Sequence, residues 1–182
     1  MKGLKLLTAI LLLGLHTFVL AEESRDPYKF FFAQTLGDYS EELENAKSEG
    51  KKGIFIFFEM DECPFCHYMK NNVLNQKSVQ EYVLKDFAAF NLDVEGDVMI
   101  TTFDGQEMAQ KEFAGKKHHN VRATPVMMFF DLDGKPVFRY TGKTRGVEEF
   151  LWLTDFVRDG HYKDMKFNNY KNQRRKDNRS NG

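Results

Sequence analysis

Only two of the 182 residues are cysteine, Cys63 and Cys66. A single pair so close together cannot tie distant parts of the chain, so the fold must stand on its apolar core rather than on disulfides. A surplus of charge is also missing: the formal net charge is -1, which argues against nucleic acid as a general partner. Long apolar runs are absent too, since the nearly continuous stretch Leu6 to Leu15 falls short of the roughly 20 residues a membrane-spanning helix needs. No internal repeat is visible.

What the chain does have is apolar and aromatic bulk: 42% hydrophobic residues, 18 of them phenylalanine, enough for one globular domain. Met1-Lys2-Gly3-Leu4-Lys5 is basic, Leu6 to Leu15 is apolar, and Val19 and Ala21 occupy the small-residue positions of a cleavage site. Residues 1–21 therefore read as a secretory signal peptide and the destination as the periplasm. No cysteine stands at the cleavage point, which argues against lipid attachment. Residues 22–160 form the folded domain. Residues 161–182 lose all periodicity and are strongly basic, which predicts a mobile, solvated tail; attraction to an acidic partner or an anionic membrane face is the competing reading.

Within the domain, Tyr28 to Phe32 is an aromatic cluster suited to packing an N-terminal arm on the core. Leu36, Tyr39, Leu43 and Ala46 recur at helical spacing and predict an amphipathic helix ending near Gly50. Gly53 to Phe58 reads as a buried strand, and Pro64 begins a helix whose apolar face continues through Tyr68, Met69, Val73 and Leu74. Ser78, with Glu81 three residues on, predicts the N-cap of another helix. Phe87 to Asp93 reads as a strand, Val98 to Thr102 as a short one, and Glu107 to Ala114 as helix. Val126 to Phe130 and Pro136 to Tyr140 form a hairpin about Asp133-Gly134. Val147, Phe150, Leu151, Thr154 and Val157 stripe a final helix. This order predicts an α/β fold with a central mixed sheet flanked by helices.

The chemistry concentrates at Cys63-Pro64-Phe65-Cys66, placed where a strand hands over to a helix. Unpaired backbone N–H groups at a helix start favour an anion, here a thiolate. A fall in thiol pKa from about 8.5 to about 7 raises the thiolate fraction at pH 7 from roughly 3% to 50%, while nucleophilicity drops roughly fivefold. The net gain in attack is small; the greater benefit is a better leaving group when a mixed disulfide resolves. Position makes Cys63 the exposed attacking thiol and Cys66 the resolving one. A structural staple is the bland alternative, yet so short a loop stabilises by about 2 kcal/mol against about 4.7 for a 100-residue loop. Two rivals stay open. Cys63-Pro64-Phe65-Cys66-His67 satisfies the C-x-x-C-H pattern of c-type haem attachment. A metal-binding thiol protein could add His118, His119, Met127 or Met128 as ligands.

Taken together, the strand, the Cys63-Pro64-Phe65-Cys66 helix start, and Arg122-Ala123-Thr124-Pro125 entering a hairpin and final helix resemble the thioredoxin superfamily over roughly residues 50–160. The export signal, Phe58 to His67 and Val121 to Pro125 look more narrowly like the periplasmic thioredoxin-like proteins associated with sulfur oxidation. The resemblance implies a thiol–disulfide oxidoreductase with a thioredoxin-like fold and an extra N-terminal helix. It also implies a redox-active Cys63–Cys66 disulfide in place of any cofactor or metal. Pro125 would follow a cis bond beside the cysteines, leaving the Thr124 backbone free to pair with a substrate strand; Pro64 and Phe65 would share in substrate contact. Protein disulfides would be the substrates, a membrane thiol carrier the electron donor, and reduction the direction. The superfamily's buried acid, six residues before the first cysteine, is replaced by Phe57. Glu59, if turned inward, could transfer protons to Cys66; an exposed strand-end carboxylate is the competing reading.

Overall fold

A computed structural model describes residues 22–180; the segment read as a signal peptide lies outside the described residues. The helices among them are α1 (Pro27–Phe30), α2 (Tyr39–Ser48), α3 (Pro64–Asn72), α4 (Lys77–Asp86), α5 (Gln110–Ala114), α6 (Val147–Arg158) and α7 (Phe167–Ser180). The strands are β1 (Gly53–Glu59), β2 (Phe87–Asp93), β3 (Met99–Thr101), β4 (Glu107–Ala109), β5 (Val126–Phe130) and β6 (Pro136–Thr141).

β1 is buried along its whole length, as its unbroken apolar run requires of a strand covered on both faces. It pairs parallel with β2 and antiparallel with β5, and β6 closes the order β2-β1-β5-β6. The mixed sheet thus matches the expected architecture. At the start of β1 a Cβ on residue 53 would fall 2.2 Å from the Phe130 carbonyl oxygen, so only glycine fits there.

Alternation along β1 divides the core in two. Phe55 and Phe57 join Cys63, Cys66, Met69, Phe150 and Phe156 on one face of the sheet. Ile54, Ile56 and Phe58 join Tyr39, Leu43, Phe113 and Met128 on the other. The N-terminal arm straps the first face: Phe31 and Phe32 are buried, Phe32 stacks on Phe57 at 5.9 Å, and the Ala33 N–H donates to the Ala89 carbonyl at 2.8 Å.

Several local expectations change. Leu36 is fully exposed, because Gly37 takes a positive φ of 92° and Asp38 caps α2, accepting from the Ser40 and Glu41 N–H groups. Ser78 is not an N-cap: α4 starts one residue earlier, and the Ser78 N–H donates at 2.9 Å to the carboxylate of Glu22 in the arm. Residues 107–109 are strand before helix, because the turn at Asp104-Gly105 folds them back so that Met108 faces Ile100. The largest difference lies in 161–182, expected as a mobile tail. A 3₁₀ turn at His161–Lys163 leads into α7, whose Phe167 and Tyr170 are buried beside Phe156 of α6. Acids of α6 supply the counter-charge: Lys171 reaches Glu149 at 2.6 Å and Arg174 reaches Asp155 at 3.5 Å.

Candidate redox site

β1 ends at Glu59 and the chain turns through residues 60–62 into α3, with Cys63 as the N-cap in extended conformation. The Cys66 N–H donates to Cys63 Sγ at 3.0 Å, so the sulfur occupies the place a capping oxygen usually takes. Pro64 follows at the first helical position. Cys63 and Cys66 are joined by a disulfide with an S–S distance of 2.09 Å and Cα atoms 5.2 Å apart. Cys63 is not the exposed thiol expected: it is 4% accessible and Cys66 0%. Cys63 caps the start of α3, and Cys66, one turn in, lies in the same core cluster as Phe55 and Phe57.

The second part of the site is the turn before β5. Phe58 stands opposite Val126, which brings Thr124 and Pro125 to the end of β1 that leads to the cysteines. The Thr124–Pro125 peptide bond is cis, and the Pro125 carbonyl accepts from the Gly142 N–H at 2.8 Å. Phe65, between the cysteines, is 52% accessible.

Glu59 is no exposed strand-end carboxylate, being 5% accessible. It shares a face of β1 with Phe55 and Phe57, the face that carries Cys66. Its oxygens accept from Tyr28 Oη at 2.9 Å, Lys70 Nζ at 2.5 Å and Asn91 Nδ2 at 3.1 Å. Burial pulls the Lys70 ammonium down, but its bonds to Glu59 and Tyr28 outweigh this and hold its pKa above the ordinary lysine value. Burial pushes the Tyr28 hydroxyl up, with the Glu59 charge adding to the effect. The sequence reading missed Tyr28, Lys70 and Asn91 as neighbours of this acid. Lys70 alone left a signal, since it stands one turn beyond Cys66 on the same helix.

The rival ligand sets are dispersed. His67 Nε2 donates to the Asp61 carbonyl at 3.0 Å. His119 packs on Phe58, Phe113 and Phe130, on the sheet face opposite the cysteines. Met127 and Met128 point into different clusters. Among the described residues no group of three or more His, Cys, Asp or Glu could hold a metal ion. The arrangement brings together a helix-capping sulfur bonded to a second sulfur one turn behind it, with the Thr124–Pro125 turn at the same end of the sheet.

Residues 39–158 match the family model described as a thioredoxin-like domain. The disulfide bond reductase DsbH of Chlamydia pneumoniae is 30% identical over 102 residues, which are 56% of this chain and 58% of that protein. This chain thus spans less than two thirds of that relative's length. Among solved structures, a putative disulphide-isomerase of Bacteroides thetaiotaomicron superposes with a TM-score of 0.55 at 21% identity, covering 75% of this chain and 95% of that one. A thioredoxin-fold protein from Helicobacter pylori gives 0.54 at 22%, covering 66% and 83%.

Proposed function

We propose, from the premise that this chain belongs to the family of thioredoxin-like domains, that it is an exported thiol–disulfide oxidoreductase which reduces protein disulfides through Cys63 and Cys66. The observation that carries this reading is the Cys63–Cys66 disulfide at the start of α3, with the Thr124–Pro125 turn at the same end of the sheet. In the reduced protein the Cys63 thiolate attacks one sulfur of a substrate disulfide. A mixed disulfide forms, and the other substrate sulfur leaves as a thiolate that takes up a proton. Cys66 gives up its proton and attacks Cys63 Sγ, releasing the second substrate thiol. Two electrons pass to the substrate, and the protein is left with the Cys63–Cys66 disulfide. Glu59, on Cys66's side of the sheet, is the proton acceptor in this scheme. Pro64, Phe65 and the backbone of Thr124 make the docking edge.

The reducing direction is supported by the printed name of the Chlamydia pneumoniae relative, a disulfide bond reductase. A reductant of this kind needs its own dithiol restored, and a membrane thiol carrier is the donor class that fits an exported protein. Export rests on the basic and apolar opening of residues 1–21. No helix among the described residues is long and apolar enough to cross a membrane.

Two measurements test the proposal. Cys66→Ser should trap mixed disulfides with substrate proteins and Cys63→Ser should trap none; equal trapping by both would refute the division of labour. Equilibration with glutathione should give a potential below about -200 mV, towards the thioredoxin value, whereas one near about -120 mV would make the protein an oxidant.

A further inference from the structure

The rim of the site is uneven in charge. Asp61 and Glu62 are exposed on the side from which the chain enters Cys63. The loop after β6 brings Lys143 Nζ to 4.0 Å from the ring centre of Tyr68 and 5.8 Å from that of Phe65. Both residues flanking Lys143 are tied down. The Gly142 N–H donates to the Pro125 carbonyl at 2.8 Å. Thr144, wholly buried, bonds through Oγ1 to the Gly146 carbonyl at 2.9 Å and to Met69 Sδ at 3.6 Å. The backbone on either side of Lys143 is thus fixed, and its exposed ammonium lies over an aromatic surface. A cation–aromatic contact of this kind leaves the N–H donors free for an acceptor. The disulfide offers a partner almost no surface, at 4% and 0% accessibility for its two residues. The hold on a substrate must then come from the rim.

We propose that Phe65, Tyr68 and Lys143 form a docking platform for an acidic stretch beside the substrate's cysteine, while Asp61 and Glu62, at the entry to Cys63, repel that charge and so set the direction in which the segment lies. The proposal rests on the dithiol reading above and names its substrate class: protein segments with Asp or Glu next to the reacting cysteine.

The test uses the full chain in reduced form and three peptide disulfides identical except for Asp, Gln or Lys beside the cysteine, at low and high salt. The wild type should reduce the acidic peptide up to about fivefold faster than the basic one, the ceiling set by exposed ion pairs, and salt should compress the ratio. Lys143→Gln should bring the ratio close to one and Lys143→Glu should invert it. Equal rates for all three peptides in the wild type, or an unchanged preference in Lys143→Glu, would overturn the platform and leave the dithiol chemistry standing. Failure to reduce any of the three peptides would overturn both.

Discussion

His119 shows how a polar residue can serve a core. Its ring lies 4.4 Å from that of Phe113, 5.3 Å from Phe130 and 5.9 Å from Phe58. Burial, aided by His118 and Arg139, pushes its pKa down from 6.5 to about 4. Above 6.5 the imidazole is neutral folded or unfolded, and its full contribution to stability is present. Between 6.5 and 4 the unfolded chain takes up a proton that the folded one refuses, so stability is lost as pH falls towards 4. With allowance for the half-exposed ring, the loss is about 2 kcal/mol. His119→Phe keeps the aromatic contacts and removes the titration. Urea unfolding at pH 7 and pH 4.5 should show a smaller acid loss in the variant, and identical losses would sink the assignment. Residues of this kind mark the limit of reading a site from sequence. Cys63, Cys66 and Pro125 were legible because each sits in a short contiguous pattern. The surroundings of Glu59 were not, since Tyr28 and Asn91 stand 31 and 32 residues away from it along the chain.

Among the elements, α7 departs furthest from its sequence. Its composition is that of a solvated tail, and helical pattern alone offers only Phe167 and Tyr170 as an apolar face. The information that folds it lies on α6, where Glu149 and Asp155 are buried acids that need cations. Lys171 pairs with Glu149, Arg174 joins Arg158 of α6 on Asp155, and Asn178 Nδ2 donates to Glu148 at 2.8 Å. Arg175 adds a contact with the Trp152 ring at 6.0 Å. Lys171 and Arg174, two of the seven basic residues in 161–182, thus find counter-charges within the chain. Strands β1 and β5 were legible by contrast, because a buried strand declares itself through an unbroken apolar run. If α7 is integral, Phe167→Ala should lower unfolding stability by about 3 kcal/mol, as for a buried phenylalanine elsewhere. A change within about 0.5 kcal/mol, the usual size for a surface substitution, would show that the segment is the mobile tail its composition suggests.

Across the whole molecule, the sheet separates two aromatic-rich cores, of which one carries the disulfide. Phe113, Phe130 and His119 fill one side, and the disulfide, α3 and the N-terminal arm share the other. On the disulfide's side the arm, the end of β1, β2 and the redox helix meet at Glu59. Its pairing with Lys70 is nearly solvent-free, the side chains being 7% and 12% accessible, and Lys70 Nζ also reaches Tyr28 Oη at 2.5 Å. A buried pair contributes little net stability when intact, yet removing one partner costs about 3–5 kcal/mol because the other charge is stranded. Lys70→Met should therefore destabilise by about 3 kcal/mol and loosen both the arm and α3, visible as faster amide exchange in residues 22–33 as well as 64–72. Adding Glu59→Gln removes the stranded charge, keeps Tyr28 and Asn91 hydrogen-bonded, and should restore most of the loss. If the double variant were as unstable as Lys70→Met alone, packing of the lysine stem rather than charge would be what Lys70 contributes. If exchange quickened in α3 but not in the arm, the four elements would not be joined through Glu59.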